Sequence, residues 1–224
     1  YGEFGNAPAI YRYGGEYAGS SANQFAEIIY YGCTTNGCTA NKTTAEKNKI
    51  ESYLAIKYGA TLRTTTGTGQ GYKDSSNNTV WNSTLAGTTY YNRIGFIGQD
   101  DLSGYRKATS AILENANQIL SIKNPTDLED LEFAAVGDNN SQKATPISSN
   151  SPTAFAQRLS RSWMWQTAGG DGVGSVDLAF DLTKQTALPS NGAPSTYKLL
   201  LDSDDDFTVG ATISNLVPTV SAGV

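Results

Sequence analysis

From Thr79 onward the chain consists of short runs in which side chains alternate in character, set apart by clusters of Gly, Asn, Asp, Ser and Thr. A period of two residues belongs to strands, because successive side chains leave a pleated backbone on opposite sides. In RLSRSWMWQT, Leu159, Trp163 and Trp165 share one face with Arg161, while Ser160, Ser162 and Met164 lie opposite. In VGSVDLAFDL, Val176, Leu178 and Phe180 point one way and Ser175, Asp177 and Asp181 the other. In TYKLLLD, Tyr197, Leu199 and Leu201 alternate with Lys198, Leu200 and Asp202. Each pattern predicts one face on a core and one toward solvent or a partner, and it buries both Trp163 and Trp165. The expected fold is mainly β, an antiparallel β-sandwich of jelly-roll or Ig-like type.

One stretch breaks this rhythm. TTAEKNKIESYLAIKYGATL, Thr43 to Leu62, predicts a single helix over residues 44–58. Thr43 followed three residues later by Glu46 is a capping box, and Gly59 supplies a left-handed stop. Ile50, Tyr53, Leu54 and Tyr58 fall within one arc at 100° per residue, so that face is expected to be buried. Lys47 and Lys57 share the arc, with stems that pack and heads that reach water. Ile56 lies outside it, which predicts contact with a second apolar surface, as for a wedge between two sheets.

The 224 residues suffice for one large β-domain, or for a domain plus part of another. Charged residues are 17% of the chain and the net charge is −5, which argues against nucleic acid or an anionic membrane as partner. No apolar run approaches the length of a membrane span. Tyr1 opens in what reads as mid-domain, so a portion of something longer is expected.

Cys33 and Cys38 bracket the loop TTNG. A disulfide between them would close a small loop, contribute at most about 2–3 kcal/mol and imply an oxidising compartment. A pair of thiols, or half of a metal site completed by carboxylates, are the other readings.

With no His in the chain, imidazole acid–base work and the Ser-His-Asp and Cys-His sets are excluded. The E-x-D-x-x-E spacing of concanavalin-A-like glycosidases is missing as well. Glu129, Asp130 and Glu132 come nearest and read as a charged turn before a strand. No catalytic residue is assigned, and the chain is read as a non-enzyme. The loop GTGQG, Gly67 to Gly71, lacks the preceding strand and following helix that a phosphate cradle needs.

Asp202, Asp204 and Asp206 alternate in DSDDD after an apolar run. Such carboxylates can converge on calcium, the one cofactor the sequence suggests; a solvated acidic turn is the alternative. Phe207 and Ile213 stand where an EF-hand requires Gly and Glu, so this is no EF-hand. Asp100 and Asp101 could add ligands if the loops meet, though a β-turn explains them equally. Tyr11, Tyr13 and Tyr17 are the expected exposed aromatics, of the kind that stack on sugars, with core or inter-subunit packing the favoured reading.

The run AEIIYY (Ala26–Tyr31), a short loop and EKNKIESYLAIKYGATL (Glu46–Leu62) together resemble a junction in very large bacterial surface and secreted proteins. There a laminin-G-like (concanavalin-A-like) jelly roll ends, a helix follows, and a β-rich domain of unknown function begins. TVWN, IGFIGQDDLSG, AAVGDNN, RLSRSWMWQ, VGSVDLAFDL and YKLLLDSDDDF continue the resemblance in order across residues 24–210. The chain departs from that pattern at Gln99 and Asp205, where Arg and Gly are usual. Together with the cysteine reading, the resemblance gives an expected organisation of terminal strands of an incomplete laminin-G-like jelly roll over 1–32, a disulfide loop and connecting helix over 33–62, and a β-sandwich over 63–224. It further implies an extracellular or cell-surface module that is structural or adhesive. Two alternatives accompany it. In one, copies join into a filament by strand donation, because the runs Ala7–Tyr13, Gln24–Tyr31 and Ala211–Val224 read as strands lacking partners; pairing of the terminal segments within the chain is the competing and favoured account. In the other, the module binds a cell-surface glycan or protein.

Overall fold

The computed structural model describes residues 27, 29, 43–64, 66–112, 118–141, 146–181, 184, 197–215, 218 and 219. Cys33, Cys38, the N-terminal tyrosines and the N-terminal runs lie outside these, Glu27 and Ile29 apart. The chain divides into two units between Asn41 and Lys42. Every helix and strand of the described residues belongs to the second unit, Lys42–Val224.

The architecture is mainly β and antiparallel, as the alternating runs predict. Its centre is a four-stranded sheet in the order β4 (Tyr105–Lys107), β3 (Asn92–Asp100), β6 (Phe133–Asp138), β9 (Trp163–Ala168). The two inner strands bury both faces. Ile94, Phe96, Phe133 and Ala135 enter one core, and Ile97, Ala134 and Val136 another. The first core is closed by α1 (Thr44–Tyr58) and a hairpin of β1 (Tyr72–Lys73) and β2 (Thr79–Trp81), which contributes Tyr72, Val80 and Trp81. The second is closed by β5 (Leu120–Lys123) paired with β10 (Asp177–Phe180); Val176, Leu178 and Phe180 pack there as the alternation requires. After β4 the chain changes sheets, since Ser110 N–H donates to the Ile122 carbonyl and Asn124 N–H to that of Ala108. Such a switching strand makes the corner of a sandwich.

The helix runs over 44–58 with its capping box formed and Gly59 left-handed at φ 70°. A second helix, α2 (Ser83–Ala86), is capped by the Asn82 side chain and lies where the sequence showed only TVWN and a turn. The buried face of α1 is a correction. Ser52, Ala55 and Ile56 are the buried residues, while Ile50, Tyr53, Leu54 and Tyr58 are half-buried. Apolar residues surround this helix nearly evenly, so close approach decides instead. Ser52 accepts the Lys73 N–H at 2.9 Å, and Gly59 sits so tightly on Ala111 that a Cβ would overlap its carbonyl. Ile56, outside the arc, does meet the apolar core.

The remaining short strands pair as β7 (Pro146–Ile147) with β8 (Arg158–Leu159) and β11 (Leu200–Leu201) with β12 (Thr212–Ile213). Leu201 is exposed, against the expectation that its alternation places it on a core. A ribbon of two residue pairs has no room to enclose one. Among the described residues no helix is long and apolar enough to cross a membrane.

Candidate functional site

Asp202, Asp204 and Asp206 lie beyond β11 on a ladder of turns. Each accepts a backbone N–H two residues on: Asp204 at 2.8 Å, Asp206 at 3.0 Å and Thr208 at 3.1 Å. The Asp204 N–H holds the Asp202 carboxyl below its ordinary range. Among the described residues no three Asp, Glu, His or Cys side chains are grouped as a cation would require.

Asp100 and Asp101 bond other turns. Asp100, buried, accepts the Ser75 N–H at 2.9 Å, the Ser75 hydroxyl at 2.6 Å and the Ser103 N–H at 3.2 Å. It thereby ties the β1–β2 turn to the β3–β4 turn. The Asp101 N–H donates to Asp130 at 2.7 Å. Glu129–Glu132 is a turn before β6, as its charges suggested, but Glu132 is only 1% exposed and its carboxylate bonds back to the Glu129 N–H at 2.9 Å. Beside the loop 67–71, Arg63 bridges to Gly69, and the Thr64 and Thr68 hydroxyls bond at 2.7 Å.

A polar knot near β8 gave no sequence signal. Asn150 and Asp205 both take left-handed φ, at 52° and 68°. The Asn150 amide donates to the Asp205 carbonyl at 2.8 Å, and Arg158 donates to the Asn150 carbonyl at 2.5 Å while stacking on Phe207. Burial pushes the Tyr90 hydroxyl above its ordinary range, and it bonds Ser162 at 3.0 Å. Asp205 holds a left-handed backbone, a conformation that Gly adopts without strain.

A concave feature lies beside β9. One wall is Thr79, Val80, Asn82 and Leu85 from β2 and α2; the other is Met164–Thr167 of β9, around about 370 Å³. Four consecutive strand residues point to alternating faces, so a cavity that touches all four opens on the strand's edge. The walls are clamped by the Gln166 amide, which accepts the Asn82 N–H at 2.8 Å and donates to the Asn82 carbonyl at 3.2 Å. Trp165 is 40% exposed and Leu85 65%. This corrects the expectation that alternation buries both tryptophans. Trp163 finds a T-shaped partner in Phe180 at 5.8 Å, whereas among the described residues no ring packs on Trp165. Period-2 patterning tells which face a residue takes, not how far the covering layer extends.

A family model described as a domain of unknown function (DUF8202) matches residues 46–223. The chain belongs to that family. The DUF8202 match begins within α1, which agrees with the packing of that helix into the β core. No curated protein and no solved structure matches the chain.

Proposed function

We propose that this DUF8202 chain is a non-catalytic structural or adhesive module of a bacterial secreted or cell-surface protein, following a laminin-G-like jelly roll. The observation that supports this reading is how the buried carboxylates are used. Asp74 holds Asn78, Asp100 holds Ser75 and Ser103, Glu132 holds Glu129, and Asp138 holds Arg93. Each is committed to bracing a turn or a bulge, and a chain without histidine has few other groups that titrate near neutrality. Cys33 and Cys38, as a disulfide, would suit the oxidising setting this role implies.

The test is a panel of polysaccharides and aryl glycosides incubated with purified chain. No turnover is expected. Hydrolysis that disappears when one carboxylate is changed to its amide would overturn the proposal.

A further inference from the structure

An exposed strand edge is ordinarily protected by charge, proline or a bulge. The edge strands β4, β10 and β9 differ in this respect. β4 carries Arg106 and Lys107, and β10 begins with Asp177. β9 reads WMWQTA, without charge or proline, and keeps unbroken register with β6 from Phe133–Ala168 to Asp138–Trp163. Among the described residues β9 pairs with β6 alone, so every second residue turns its N–H and C=O to the open side. That open side is where the groove lies.

Among the described residues, the large apolar side chains left exposed fall, Leu102 apart, in two places. Leu85 and Trp165 flank the groove; Leu201, Val209 and Ile213 lie on and beside the β11–β12 ribbon. β12 in turn pairs only with β11 among the described residues. Its surrounding segment, Ala211–Asn215, is uncharged, as is every residue lining the groove, so joining them buries no charge. The four β9 residues in the groove span about 13 Å, twice the length of β12 itself, so pairing along all of them would extend into its neighbours within Ala211–Asn215.

We propose that the β9 groove is an acceptor for β12 of a second copy of this chain, added as a fifth strand, with Ile213 entering between Leu85 and Trp165. Main-chain groups at Ile213 and along β9 that have no strand partner among the described residues favour an extended peptide over a sugar, which could use the indole but not the edge. The contact is heterologous. Acceptor and donor are different surfaces of each copy, so successive additions extend a chain of subunits. This goes beyond the non-catalytic reading and stands or falls separately from it.

The experiment is sedimentation velocity on the whole chain up to about 1 mM, where weak self-association is still visible. Wild type should form growing oligomers. Leu85→Lys, a change at an exposed position, spoils the acceptor; Ile213→Pro spoils the donor. Each alone should stay monomeric at concentrations at least tenfold above the wild-type midpoint. Mixed, they should form a 1:1 dimer, because each retains the surface the other lacks. Unchanged melting of both variants excludes unfolding as the cause. Wild type that stays monomeric throughout, oligomers indifferent to both changes, or a mixture that stays monomeric would each overturn the proposal. So would a glycan that binds at Trp165 while the chain fails to assemble.

Discussion

Arg93 grips the Asp138 carboxylate with two guanidinium nitrogens, one at 2.7 Å, at the point where β3 slips out of register with β6. Arg93 itself is left-handed at φ 45°, and both side chains are buried. A third nitrogen donates to Asn140 at 3.1 Å, and the Asn140 N–H returns to Asp138 at 2.8 Å. The pair therefore fixes the bulge and the turn after β6 together. Removing one partner strands the other charge in the core.

Asp138→Asn or Arg93→Met should each lower unfolding free energy by about 3–5 kcal/mol in urea denaturation. The double change Arg93→Met with Asp138→Leu should cost clearly less than the sum, because no orphan charge remains. Additive losses would show that the two residues do not act as a pair.

Tyr105 offers the reverse case. Its hydroxyl is buried with no hydrogen-bond partner, and burial pushes its ionisation well above the ordinary 10.0. Tyr105→Phe should melt at the same temperature as wild type or higher. Tyr72→Phe should cost about 1–2 kcal/mol, since that hydroxyl accepts the Leu62 N–H at 2.8 Å and donates to the Ala60 carbonyl at 3.1 Å.

The same phenols set an alkaline limit. Burial raises Tyr72, Tyr90 and Tyr105 alike, which disfavours the charged form in the fold. Below the unfolded value of 10.0 all three are neutral in both states, and stability is complete. Above it the unfolded chain ionises first, so stability falls as pH rises. Urea melts from pH 9 to 11 should show this fall, and Tyr105→Phe should make it shallower by one proton's slope.

Helix α1 can be tested for which face meets the core. Ser52→Leu should cost about 3 kcal/mol or more, through overpacking and the stranded Lys73 N–H. Leu54→Ala, on the half-buried face, should cost about 1 kcal/mol. A larger loss for Leu54→Ala would restore the face expected from periodicity.

Gly59→Ala should cost about 2 kcal/mol or more. It combines a left-handed backbone with a Cβ overlapping the Ala111 carbonyl, so it exceeds an ordinary helix-end substitution. Equal stability by thermal melting would count against the tight seat of the helix.

Local chemistry alone determined the limits of α1. Thr43, Glu46 and Gly59 act on backbone groups within one turn, so their effect is written in adjacent residues. The alternation of 176–180 likewise determined a strand face, because pleat geometry is local. Only the tertiary structure decided which side of α1 is buried, since Ser52, Ala55 and Gly59 gain their place by being small where β1 and Ala111 come close. It also decided that Trp165 stays exposed while Trp163 does not, that β9 forms an open edge, and that Arg93 meets Asp138 across 45 residues of chain. Those outcomes depend on where distant layers begin and end. No short-range period carries that information.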